Sequence, residues 1–418
     1  MDKELQEKMV SETIKDLPKG LLFLLWGLLF VGILVFLFGA LKIDELRAWQ
    51  TFLINFLFWS GISLSGVIFA AILQMTNARW GRPIKRISEG MGSFLPVSFI
   101  LFLLIFLGRE VIFPWAVHPI PGKEKWLSIP FLFLRDGIGL IILYGLSITF
   151  LYFSLKPDLI FVKGMGRAHE KGILSRMMKR WKGVKEEGEK SQKILTILTP
   201  IILIAYAVIF TLIAFDLVMS LDPHWYSTLF GGYFFMGNLY IGLASITIIS
   251  ILVRKYLGLE EYIDIPLLHD LGKLIFAFCL ISLDFFWSQF LVIWYGNLPE
   301  ETGFVILRGM EMPWAPLSWS VLVVCFILPF LIMLSKNVKR NPKTLFALCM
   351  VIVLSMWLER YVLIVPSLWK GNTAPFGLME IFITLGFFAG FALTFLYFLK
   401  KLPIFPVSDP LFQKRDRV

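Results

Sequence analysis

Long apolar runs alternate with short polar ones along the whole chain. Ten of these runs span residues 21–41, 51–75, 91–108, 131–155, 194–220, 228–253, 271–297, 315–335, 344–366 and 376–399. Each approaches or exceeds the roughly 20 apolar residues that a helix needs to cross the hydrocarbon core of a bilayer. The pattern predicts an all-α integral membrane protein with about ten transmembrane helices. The starts of the third and seventh runs, RISEGMGSF and LLHDLGKLIF, each follow a polar segment and lie four helices apart. This spacing points to a repeat: two four-helix bundles, helices 2–5 and 6–9, with helices 1 and 10 peripheral.

Composition sharpens the class. The chain is 57% hydrophobic and only 17% charged, against roughly 25% charged in an average soluble domain. Its net charge of +10 would suggest nucleic acid if it covered one face, but the charges lie in the segments between apolar runs. They report topology instead. With the N-terminus cytoplasmic, the inner segments hold 30 of the 40 Lys and Arg residues and the outer segments 7. This imbalance predicts a multi-pass membrane protein with both termini on the cytoplasmic side. It divides the chain into a cytoplasmic segment 1–20, a membrane domain 21–399 and a cytoplasmic tail 400–418. The first run has no small-x-small cleavage site and is expected to remain as an uncleaved helix. The basic loop 156–193 is expected to be solvated near anionic lipid headgroups, not bound to nucleic acid.

Redox ligands are scarce. Cys279, Cys325 and Cys349 all lie in apolar runs, and no CxxCH or CxxC motif occurs. A haem within a bundle usually takes two histidines on facing helices. His118, His169, His224 and His269 all fall in loops or at helix ends. The chain is therefore expected to bind no haem or metal of its own.

Charged groups inside a bilayer are costly, and they mark bundle interiors or water paths. At 1.5 Å per residue, Asp216 lies roughly 33 Å from the inner end of the fifth run, and Glu359 with Arg360 roughly 23 Å into the ninth. Arg135 and Asp136 open the fourth run from outside, and Glu380 sits about a turn into the tenth. Adjacent residues point to different helix faces, so Glu359 and Arg360 are each expected to need a partner, with a structural buried pair as the alternative. Asp284, roughly 20 Å into the seventh run, is the deepest isolated acid. It is expected to act as a relay or to bond Ser282 or Ser288. His269, Asp270 and Lys273 form a candidate cytoplasmic mouth. Carboxylates and imidazole exchange protons, and an aromatic slot with such groups suits a quinol headgroup and its apolar tail.

Four stretches carry a resemblance: FDLVMSLDPHWYSTLFGGYFF (215–235), LLHDLGKLIFAF (267–278), FFWSQFLVIWYGNLPEET (285–302) and WLERYVLIVPSLW (357–369). They resemble the ActF-type membrane subunits of alternative complex III, a bacterial quinol:cytochrome c oxidoreductase, within the NrfD/PsrC-like family. The resemblance implies a ten-helix subunit that supports quinol oxidation or proton translocation, with menaquinol as the candidate ligand. It also implies an ActC-like sister subunit, a multihaem cytochrome c, an iron–sulfur subunit, small membrane subunits and a terminal oxidase as partners. Haem c and iron–sulfur clusters would reside in those partners. It maps Asp216, His224 and Tyr226 onto an outer quinone-site region. Tyr226 stands where the sister subunit has a histidine. Asp136, Asp284, Glu359, Arg360 and Glu380, with Arg135, map onto a proton path. The residues alone also allow a secondary transporter or a purely structural anchor. The few prolines within the runs speak against a transporter built from broken helices.

Overall fold

A computed structural model describes residues 17–159 and 183–413. All ten runs are helices long and apolar enough to cross a membrane: α1 (Lys19–Ile43), α2 (Glu45–Met75), α3 (Arg82–Ile112), α4 (Ile129–Asp158), α5 (Glu186–Leu221), α6 (Phe230–Leu257), α7 (Ile265–Gly296), α8 (Trp314–Met333), α9 (Pro342–Leu368) and α10 (Leu378–Lys401). No strand occurs among the described residues. The side holding residues 17 and 413 carries most of the Lys and Arg and is called the basic side below. The turn 221–227 lies on the far side.

The centre of the fold is the pair α2 and α6. About 94% of the apolar stretch of α2 and 72% of that of α6 are buried, against 11% for α1. Helices α3 and α5 pack on α2, and α4 packs on both of them. Helices α7 and α9 pack on α6, and α8 closes the second group against α7 and α9. The result is two four-helix groups, with α1 and α10 paired outside α2, as the repeat predicts.

Small residues allow this close approach. Lipid gives helices no hydrophobic drive to associate, so packing contact and hydrogen bonds must do it. A Cβ on Gly61 of α2 would stand 2.4 Å from Asn238 Oδ1 of α6, and one on Gly242 of α6 would stand 2.2 Å from Ser65 Cβ. The Ser65 hydroxyl donates to the Asn238 carbonyl at 2.8 Å. Residues 61 and 65, and 238 and 242, are one turn apart, so each helix offers one small and one polar residue to the other. Gly32 of α1 and Gly386 of α10 meet the same way, with a Cβ on Gly32 only 2.6 Å from Gly386 Cα.

Three boundaries differ from the sequence pattern. Residues Arg82–Gly90, expected in a loop, form the first turns of α3 and are buried despite their charge. The basic loop of 156–193 is shorter, because the helix containing α5 begins at Val184. Its residues 160–182, with His169, lie outside the described residues, as do residues 1–16. The tail is not free: Leu402, Ile404, Phe405, Val407 and Phe412 are buried against the basic end of the first group.

Candidate functional site

The stretch WYGNLPEET builds the roof of a cavity. Asn297 adopts φ 48° and caps α7, its N–H bonding the Ile293 carbonyl. Pro299 then opens a short helix, Pro299–Gly309, with Glu300 and Glu301 in its first turn. This helix carries Phe304 and Arg308 across the far end of the second group. Pro366 inside α9 has no N–H, so the Val362 carbonyl loses its partner within the helix. Arg308 replaces it. Its Nε donates to the Val362 carbonyl at 3.0 Å, and its terminal nitrogens donate to the Leu363 carbonyl at 2.9 Å, Ser367 Oγ at 2.7 Å and the Phe304 carbonyl at 3.2 Å. Burial pushes the Arg308 pKa down to about 9 against the pull of the Asp222 carboxylate, which leaves it a cation at neutral pH. Trp225, from the turn LDPHWYS, stacks on Phe304 with ring centres 3.8 Å apart.

Beneath this roof lies a cavity of about 500 Å³. Its walls are mostly apolar, with aromatic rings from Trp225, Phe286, Trp287, Phe290, Trp319 and Phe326 among them. One wall is the π-helical turn Leu322–Ile327 of α8, a local widening common at functional sites. Two neighbours satisfy carbonyls of that turn: the Tyr240 hydroxyl donates to Cys325 O at 3.0 Å, and the Cys279 thiol donates to Phe326 O at 3.5 Å. Glu359 reaches the cavity from α9 and is only 2% exposed. The Tyr233 hydroxyl donates to its Oε1 at 2.6 Å, and Arg360 donates to its Oε2 at 2.7 Å. Arg360 also donates to Asn238 Oδ1 at 3.0 Å and lies 4.0 Å above the Phe234 ring. Neighbours in sequence, Glu359 and Arg360 form the buried pair that the sequence allowed, and each also has a partner on α6, Tyr233 and Asn238. The long Arg360 side chain turns back to reach the carboxylate.

These groups select a ligand class. All four acceptors of Arg308 are protein atoms, so it offers little to a phosphate. The anionic group facing the space, Glu359, would repel one. Each Glu359 oxygen keeps a lone pair for a further donor. The cavity therefore suits a neutral, flat ring bearing hydroxyl donors and an apolar tail.

The first group holds a different arrangement. On the far side, Arg135 of α4 donates to Asp216 Oδ2 of α5 at 2.7 Å and lies 3.8 Å above the Trp126 ring, whose N–H donates to Asp216 Oδ1 at 3.2 Å. Asp136 is buried beside them, and neither of its carboxyl oxygens has a hydrogen-bond partner among the described residues. From Asp136, α4 carries Tyr144, Ser147, Ser154 and Asp158, all buried. At 100° per residue these five positions fall within about 80° of arc, and they cover about 33 Å of helix, the thickness of a hydrocarbon core. At mid-height Ser98 links Tyr144 and Ser60 by contacts of 2.8 and 2.6 Å. At the basic end Arg86 bonds both Glu89 and Asp158. Ser154 donates to Glu89 Oε1 at 2.6 Å. The tail joins here: Asp409 lies 2.9 Å from Arg82 and 3.5 Å from Lys85, and Ser408 N donates to Asp158 Oδ1 at 2.7 Å.

The structure separates residues that the sequence grouped. Asp216 is buried in the first group, whereas His224 and Tyr226 are exposed on the far-side turn. Tyr226 lines a shallower cleft of about 420 Å³ with Lys123, Trp126 and Trp225. Glu380 accepts from Arg47 of α2 at 2.5 and 2.7 Å and from Gly377 N at 2.7 Å, so it caps α10 and pins it to α2. Asp270 and Lys273 pair at 2.6 Å on the surface of the basic side, with His269 half-buried beside them. Asp284 is exposed on α7 and bonds neither Ser282 nor Ser288. The sequence reading missed Arg308, Tyr233, the hydroxyl chain of Tyr144 and the cluster of Arg82, Lys85, Arg86 and Glu89. The spacing RPIKRISE was its signal, because residues 82, 85, 86 and 89 share one helical face.

The family model described as Polysulphide reductase, NrfD matches residues 39–372. No curated protein matches the sequence. Among the described residues, no three His, Cys, Asp or Glu side chains converge in a way that would hold a metal ion.

Proposed function

The chain belongs to the NrfD family, membrane subunits of quinol-linked oxidoreductases, and on that premise we propose that the cavity under Arg308 receives a quinol headgroup. The observation that carries this reading is the Glu359 carboxylate, buried at one wall of a mostly apolar cavity with acceptor capacity to spare. When bound, quinol supplies two electrons and two protons. Glu359 accepts a hydroxyl hydrogen bond, and Tyr233 and Arg360 hold its carboxylate in place. The Arg308 roof and the stacked Trp225 and Phe304 keep water out. Electrons leave through other subunits, since members of this family work with iron–sulfur or cytochrome partners.

We read the complex as alternative complex III and this chain as its ActF-type subunit, beside an ActC-like sister and a multihaem cytochrome c. The basic side is then cytoplasmic and the cavity opens toward the periplasmic half. The test uses the purified complex and a short-chain menaquinone analogue that quenches tryptophan fluorescence. Ser318 lines the cavity, and its Oγ has no hydrogen-bond partner among the described residues. Ser318→Phe should weaken the analogue at least tenfold. Unchanged affinity overturns the reading.

A second role is supported by the buried polar stripe on α4. It suits proton movement between the Glu89–Asp158 cluster and the Asp136–Asp216 cluster, with the Tyr144–Ser98–Ser60 hydroxyls between. Ser147 Oγ and the Asp136 oxygens, buried without hydrogen-bond partners among the described residues, offer places for ordered water along that route.

A further inference from the structure

We propose that the lipid-side face of α7 around Asp284 docks a transmembrane helix of another subunit, one that carries a lysine, arginine or histidine at the middle of the bilayer. Lys273, with its side chain 57% exposed, marks the basic-side end of the face. Trp294 and Tyr295, 62% and 78% exposed, mark the far-side belt where aromatic side chains meet the headgroups. Asp284 lies eleven residues from Lys273 and eleven from Tyr295, about 16 Å from each. It therefore sits at mid-plane.

Its surroundings give it nothing. Asp284 is exposed, and no hydrogen bond or ion pair joins it to any other described residue. Of the exposed side chains on the same face, Leu280, Ile281 and Val292 are aliphatic and Trp287 is aromatic, and none of them is charged. Helix α7 is the least buried of the second group, with 17% of its apolar stretch covered by the rest of the chain. An ionisable group at this depth belongs in a bundle interior or beside a partner. The bundle interior is excluded here, because α7 turns this side chain away from α6 and from the cavity. A partner helix remains, and its chemistry is fixed by the carboxylate it must satisfy. A second copy of this chain docking symmetrically would place two carboxylates together, an arrangement that disfavours both charges. A basic side chain forms a charge-assisted hydrogen bond instead. Ser288, one turn away and half-buried, offers a second polar contact for the same helix. The proposal is independent of the quinol reading, since neither Asp284 nor Ser288 lines the cavity.

The experiment uses the complex in its native membranes. A photo-crosslinking benzoyl-phenylalanine is placed at Ile281 or at Ser288, with Asp284 intact. The expected product is a crosslink from both positions to a membrane-spanning segment of a different protein, with a basic residue within about one turn of the attachment point. Asp284→Leu should reduce co-purification of that protein at least tenfold, while Asp284→Asn reduces it less. The melting temperature of the Asp284→Leu chain itself should be unchanged, since leucine is at home against lipid. Crosslinks only to lipid, to a second copy of this chain or to a segment without a basic residue overturn the proposal. So does undiminished co-purification of Asp284→Leu.

Discussion

Arg308 donates to the carbonyl of Val362, the one that Pro366 leaves without a partner in α9. A proline break and its repair thus come from two different segments of the chain, and the repair closes the roof of the cavity. Arg308→Ala strands the Val362 and Leu363 carbonyls and should cost about 2–4 kcal/mol. Pro366→Ala returns to Val362 its own helical donor. The double variant should therefore be more stable than Arg308→Ala alone by at least about 1 kcal/mol, a coupling that a double-mutant cycle of thermal unfolding measures. Arg308→Lys keeps the charge but loses the planar fork and should fall between wild type and Ala.

Glu359→Gln keeps the shape of the side chain and removes its ability to take a proton. Quinol-linked turnover per assembled complex should fall by about 10²–10⁴-fold, the usual contribution of a general base. The variant also leaves Arg360 as a buried charge without its counter-ion, so less complex should assemble. Normalising turnover to haem content of the purified complex separates the two effects. Turnover within a factor of two of wild type per complex would remove Glu359 from the proton chemistry.

The ten spans were legible because twenty apolar residues in a row have few other uses, and the two bundles because the repeat is four helices long. The site was only partly legible. Glu359 and Arg360 stood out as charges in an apolar run, but their mutual pairing depends on how a long arginine side chain folds back. Arg308 lay in an exposed-looking stretch between runs, and its role follows from Pro366, 58 residues further on. The Arg82–Glu89 face was hidden by its own polarity. A charged helix start reads as a loop unless the tail that neutralises it is known, and Asp409 lies 327 residues from Arg82. Asp284 was found by depth alone, but depth does not say which way a helix faces.

Tyr144→Phe deletes one hydroxyl from the middle of the α4 stripe and leaves the ring packing intact. If protons cross the first group along this stripe, the variant should slow proton transfer in reconstituted vesicles severalfold or more. Its affinity for a quinone analogue should stay at the wild-type value, because Tyr144 lies outside the second-group cavity. Equal proton rates in the two proteins would place the route elsewhere.

Gly242→Leu tests the contact between α2 and α6. Even the Cβ would stand 2.2 Å from Ser65 Cβ, on a rigid part of the neighbouring helix. The cost should exceed the ~1–3 kcal/mol usual for overpacking. Gly145, where an added Cβ meets nothing within 4 Å, is the comparison: Gly145→Leu should be close to neutral. Membrane levels and melting temperatures of the two variants should differ accordingly.

The tail contact carries a pH dependence whose sign can be worked out. Burial pushes the Asp409 pKa up, but Lys85 and Arg82 outweigh it and hold the carboxyl below its ordinary value. A depressed carboxyl contributes its stability above the pKa of the free group, near 3.9, and loses it as pH falls through the lower, docked value. Tail docking should therefore be constant from pH 7 down to about pH 4 and weaken below it. Chymotryptic cleavage after Phe405 and Phe412 reports this, since both side chains are buried while the tail is docked. Asp409→Asn removes the charge at every pH and should expose those sites already at pH 7, with no further change on acidification to pH 4. Wild-type cleavage rising between pH 7 and pH 5 would contradict the assignment, because no group with a depressed carboxyl pKa titrates in that range.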